Sequence, residues 1–123
     1  MMKLRIAGIL GALAVVAGAL GAHGQWADHL ASIARADEWQ TAVFYHLVHA
    51  VVLAALGLHE RATESLTGGL KLGFSFVVAG MAFFSGSLYV LAATDTKWLG
   101  AITPIGGLCL IAGWICLLCA SKR

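Results

Sequence analysis

Apolar residues dominate this chain in four long stretches, at 4–22, 41–58, 72–93 and 99–120, each broken only by small or weakly polar side chains. Each reaches, or nearly reaches, the ~20 residues that an α-helix needs to cross a hydrocarbon core ~30 Å thick. The pattern therefore predicts four transmembrane helices. Only the connection between the first two is long. Within it Trp26, Leu30 and Ile33 recur at i, i+4, i+7, with Asp28, Ser32 and Arg35 elsewhere on the wheel. That spacing predicts a short amphipathic helix lying on the outer surface. An irregular polar loop is the alternative. No repeat or low-complexity linker divides the chain, so residues 1–123 form one domain. The fold class is an all-α, four-helix transmembrane bundle with a short outer helix between helices one and two.

Composition agrees with lipid as the solvent. The 123 residues are 60% hydrophobic and 11% charged, with a mean hydropathy of +0.88, whereas soluble domains are about a quarter charged. The first stretch has a rival reading as a signal peptide, because Lys3 and Arg5 precede it and Ala17-Gly18-Ala19 resembles a cleavage site. The apolar run over 6–22 exceeds the ~7–15 residues of a signal core, so a retained helix is preferred.

Charge orients the bundle. With four crossings, Lys3, Arg5, Arg61, Lys71, Lys122 and Arg123 share one side, and the other holds only Arg35 and Lys97. Short loops rich in Lys and Arg stay cytoplasmic. Both termini are therefore expected in the cytoplasm, with Trp26, Trp39 and Trp98 at the outer interface, where indoles settle. A net charge of +2 and its scatter speak against nucleic acid as a partner.

Small residues recur at helical spacing in three stretches: Gly11, Ala14, Gly18 and Gly21; Gly69, Gly73, Gly80 and Ser87; and Gly106, Cys109, Gly113, Cys116 and Ala120. Helices in lipid associate by close packing rather than by a hydrophobic drive. Cys109 and Cys116 accordingly read as small residues in a seam rather than as metal or redox ligands. The three cysteines, an odd number inside an apolar run, do not make a disulfide framework.

Polar residues inside the spans gather near the outer side. His46 and His49 share a face of helix two, roughly 10 and 15 Å below Trp39 at ~1.5 Å per residue. His23 closes helix one, helix three brings Ser85, Ser87 and Tyr89, and helix four brings Thr103. Polar groups in hydrocarbon need partners and normally face the bundle interior. These seven residues are the candidate ligand-binding or hydrogen-bonding layer. Thr103-Pro104 further suggests a helix start, with Thr103 as cap and Pro104 at the first helical position, leaving residues 99–102 as a buried turn. A proline kink in a continuous helix is the equal alternative.

Four motifs carry a resemblance: Gly21-Ala22-His23-Gly24, Tyr45-His46-Leu47-Val48-His49-Ala50, Phe84-Ser85-Gly86-Ser87-Leu88-Tyr89 and Ile102-Thr103-Pro104-Ile105-Gly106-Gly107, followed by Gly113-Trp114. In order and spacing they resemble the YgdD-like family, small bacterial inner-membrane proteins classed as a domain of unknown function. The resemblance spans essentially the whole chain. It implies a four-helix protein of the bacterial inner membrane and brings no activity, substrate or cofactor. Two positions depart from the family. Leu20 stands where an aromatic is frequent, and the His46 position is commonly glutamine or histidine, which weakens any role for His46 as a metal ligand.

Three functions compete. The first is structural or accessory, in a larger membrane complex or a homo-oligomer, with the polar layer as an internal network. The second is a site for a quinone headgroup, a lipid carbonyl or a proton, between His49, Ser87 and the start of helix four. A b-type haem held by His23 with His46 or His49 ranks last, so no cofactor is assigned. Catalysis is not expected, because no acidic residue lies in a helix core and no activated nucleophile is evident. A monomer is too small for a transporter, and no inverted repeat is visible. The layer is expected to converge in the outer half, with His49 bonded inside the bundle. Space then discriminates: a network leaves no cavity beyond a few waters and is the preferred outcome, whereas a headgroup site needs a few hundred Å³.

Overall fold

The computed structural model describes residues 2–120. It consists of α1 (Met2–Ala22), α2 (Gly24–Ser32), α3 (Ala36–Thr63), α4 (Gly68–Thr94), a 3₁₀ segment (Lys97–Ala101) and α5 (Thr103–Ala120). No strand occurs among the described residues. Four segments are long and apolar enough to span a membrane: α1, α3, α4, and the 3₁₀ segment continued by α5.

The helices overrun the apolar stretches wherever polar residues make good ends. Asp37 and Glu38 occupy the first turn of α3 and Arg61 its last, each facing the helix-dipole charge it favours. Thr67 caps α4 by accepting from the Leu70 amide at 3.4 Å. The chain leaves α3 and α4 through left-handed residues, Glu64 and Asp95. The link between α1 and α3 is α2, whose apolar stripe turns inward. Leu30 is fully buried, while Asp28 and Ser32 are exposed.

Packing is sequential. α1 lies on α3, α3 on α4, and α4 on α5. The middle pair, α3 and α4, carries most of the core, including Leu53, Phe74, Val77 and Met81. Large side chains of α1 and α5, such as Ile9, Val15, Leu108 and Leu118, stay exposed, as lipid-facing residues do.

Close backbone approach holds the pairs. Between α4 and α5, a Cβ on Gly80 would come within 2.9 Å of the Leu110 amide nitrogen, and one on Gly106 would overlap the Phe84 backbone. Gly113 and Val77, and Gly73 and Cys116, continue this seam. Gly69 lies off it, in open space. α1 is clamped to α3 at three heights: Lys3 to Glu60 at 2.8 Å, Ala14 fully buried in the middle, and Trp39 Nε1 donating to the Ala17 carbonyl at 2.8 Å.

The start of α5 follows from its proline. The Ile102 carbonyl accepts from the Gly106 amide at 3.3 Å, so the helix is capped by Ile102. Thr103 and Pro104 are its first two residues. The missing proline N–H costs nothing there, since the first amides of a helix have no intrahelical partner. The chain before it tightens into the 3₁₀ turn rather than continuing as α-helix.

Candidate functional site

α3 supplies both intramembrane histidines. Three residues at 100° each leave their directions 60° apart, enough to send them to different neighbours. His46 turns to α4, where its Nδ1 lies 2.8 Å from the Tyr89 hydroxyl. His49 reaches α5, where its Nε2 accepts from Trp114 Nε1 at 3.2 Å. The other nitrogen of His49, Nδ1, lies 2.7 Å from the Tyr45 carbonyl one turn earlier. A carbonyl only accepts, so Nδ1 carries the proton and Nε2 is the acceptor. His49 is thus a neutral imidazole with both nitrogens in use and no lone pair to offer iron.

His46 differs. Only 8% of it is exposed, and its Nε2 has no completed hydrogen bond. Leu10 of α1 lines the same cleft as this imidazole. The Tyr89 O–H has no other recorded acceptor and donates to Nδ1, which leaves the ring proton of the neutral imidazole on Nε2. The Tyr89 ring continues outward to Trp39, with centroids 4.7 Å apart, and Trp39 to Trp26 at 5.5 Å. Trp39 can lie flat on α1 because Gly21 has no side chain, and a Cβ there would collide with the indole.

The serines are consumed locally. Ser85 donates to the Ala42 carbonyl of α3 at 2.9 Å. Ser87 donates to Phe84 at 3.0 Å and lies 2.7 Å from the Thr103 hydroxyl. With the one Ser87 proton engaged, Thr103 is the donor between them. Its 3.4 Å approach to the Leu99 carbonyl is secondary.

The polar residues therefore do not converge. They split into a cluster of His46 and Tyr89 with Ser85 nearby, a His49–Trp114 pair, and a Ser87–Thr103 pair. His23 is exposed at the junction of α1 and α2, makes no hydrogen bond recorded in the structure, and joins none of them. Nor is the region free of space. A cleft of about 230 Å³ lies beside His46, lined also by Leu10, Val78, Ala82, Gly86 and Tyr89. This exceeds the few waters expected from the sequence, because α1 packs on α3 rather than on α4 and leaves a wedge open between them. Among the described residues no group of three or more His, Cys, Asp or Glu side chains could hold a metal ion.

Sequence reasoning missed Trp114 and Trp39 as partners. Trp39 resembled any interfacial indole. Trp114 carried a usable signal, since a tryptophan in mid-span, away from the interface, still has an N–H to satisfy.

Residues 17–107, which contain all four motifs, match the family described as Protein of unknown function (DUF423). Similar relatives span nearly the full length. The UPF0382 membrane protein SAB0533 of Staphylococcus aureus is 42% identical, covering 99% of this chain and 98% of the relative. The UPF0382 membrane protein YwdK of Bacillus subtilis is 37% identical, covering 94% of each. No solved structure matches. Family profile, full-length relatives and four membrane-spanning segments agree, and the chain belongs to the DUF423 family of membrane proteins.

Proposed function

We propose that this protein is a structural or accessory component of a larger membrane assembly, without catalytic activity of its own. The observation that supports this is how the polar side chains of the spans are spent. Ser85, Ser87, Thr103 and His49 all bond to protein groups on their own or neighbouring helices. Such bonds are worth about 0.6 kcal/mol each in a bilayer, too little to explain stability but enough to set the rotation of each helix. A protein so arranged presents fixed faces of α1 and α5 to its surroundings.

The orientation belongs to the same proposal. Lys3, Arg5, Arg61 and Lys71 mark the end of the bundle bearing both termini as cytoplasmic in a bacterial inner membrane. A reporter fused after Arg123 is expected to be active only in the cytoplasm, and a carboxyl terminus on the far side would refute the orientation. The accessory role is tested by purification from the native membrane in a gentle detergent. Stoichiometric co-purification of other membrane proteins is expected. A species carrying no other protein, whose deletion leaves every membrane complex unchanged, would defeat the role.

A further inference from the structure

The His46 nitrogen without a bond and the wedge beside it belong to the same place in the fold. His46, Leu10, Ala82, Gly86 and Tyr89 all line the cleft between α1 and α4. Ala82 is exposed, and Gly86 and Leu10 are half-buried, so the mouth opens sideways, toward lipid. From Gly86 to the Thr94 end, α4 rises roughly 12 Å. The mouth is therefore within the hydrocarbon, where only a lipid-soluble molecule arrives. Its walls are otherwise apolar: the Ser85 hydroxyl is committed to the Ala42 carbonyl, and Val78 and Met81 complete the lining.

We infer that this cleft binds a lipid-soluble molecule through one carbonyl oxygen, which accepts the His46 Nε2 proton. Three observations set the chemistry. The proton is on Nε2, so the ligand atom must be an acceptor. Tyr89 holds the ring through Nδ1 at 2.8 Å, which fixes the direction of the N–H. A volume of about 230 Å³ is below the usual ~300–1,000 Å³ of drug-sized pockets but above the ~150 Å³ that accepts benzene, so it suits one ring-sized headgroup. An isoprenoid quinone meets all three. A bilayer lipid offers the same carbonyl chemistry through its ester groups. The inference goes beyond the accessory role and does not depend on it, since a protein can bind such a molecule with or without a protein partner.

The test uses the full-length protein in discs of ether-linked phospholipid, which contain no ester carbonyl. A decyl-tailed benzoquinone is titrated in, and bound quinone is compared with protein-free discs. The expected result is a saturable excess approaching one quinone per chain. His46→Leu should weaken it about tenfold, the effect of one hydrogen bond to a buried donor. Gly86→Leu should abolish it by filling the cleft. A Cβ at Gly86 meets nothing within 4 Å, so that variant is expected to fold and tests the cleft independently of His46. Decylcyclohexane, which has no oxygen, should not compete. If an ester-linked diacylglycerol displaces the quinone, the carbonyl assignment stands and the occupant is a bilayer lipid. Absence of a saturable excess for either compound, equal competition by decylcyclohexane, or binding that Gly86→Leu leaves unchanged would overturn the inference.

Discussion

His46 and His49 are the same residue type on one helix, three positions apart and both buried, yet their surroundings treat them in opposite ways. On the α5 side the contacts of His49 are complete. The glycine seam draws α4 and α5 together until Trp114 can reach across to His49, and both ring nitrogens are engaged. On the α1 side that helix is clamped to α3, by Lys3 with Glu60, by buried Ala14 and by Trp39 with Ala17, and a wedge remains between α1 and α4. His46 there keeps one nitrogen without a completed bond. The difference teaches that a buried polar residue in a membrane protein is structural or available according to how closely the neighbouring helix approaches, which the residue itself does not control.

The contrast can be broken most forcefully at the seam. Gly106→Leu should prevent stable assembly of α4 with α5, since its Cβ would overlap the Phe84 backbone. A loss of at least 3 kcal/mol, beyond ordinary overpacking at about 1–3 kcal/mol, should appear as failure to accumulate in the membrane. Ala at Cys109 or Cys116 should leave accumulation nearly intact, because a small residue still fits.

The histidines themselves come next. His49→Leu removes the acceptor for the Trp114 N–H and should destabilise by about 1–2 kcal/mol, the cost of leaving a donor without an acceptor away from water. His46→Leu should cost less, because His46 makes one side-chain hydrogen bond where His49 makes two, although it too leaves a donor, the Tyr89 O–H, without its acceptor. Unfolding equilibria of the two variants in bicelles would compare them directly, and equal losses would erase the distinction drawn here.

Smaller still is Trp114→Phe, which keeps most of the ring and deletes only the donor. A loss near 0.6 kcal/mol is expected. Nitrogen NMR of the histidine rings should show His49 Nε2 losing its hydrogen-bond shift while the His46 signals stay in place. Movement of both sets would mean that the two sides are coupled through α3. The smallest effect should be the coupling between Ser87 and Thr103, on the order of 0.5 kcal/mol in a double-mutant cycle.

Much of this protein was legible without its structure, because lipid imposes simple rules on a chain. Four apolar stretches of spanning length, and an amphipathic connection marked by Trp26, Leu30 and Ile33, follow from the need to satisfy backbone groups inside hydrocarbon. The small residues at Gly80, Gly106 and Gly113 announced close packing for the same reason. Helical spacing also put His46 and His49 on one face and at the right depth. What it could not supply was the neighbour on that face. Whether Trp114 or Leu10 meets a given imidazole depends on how four helices are arranged about one another, and residues 65 positions apart share no local pattern. The division of the polar residues into separate clusters, the exclusion of His23 and the open wedge at His46 were decided at that level. Depth in the membrane follows from a residue's place along its own helix, whereas the closure around His46 and His49 depends on the helices packed against them.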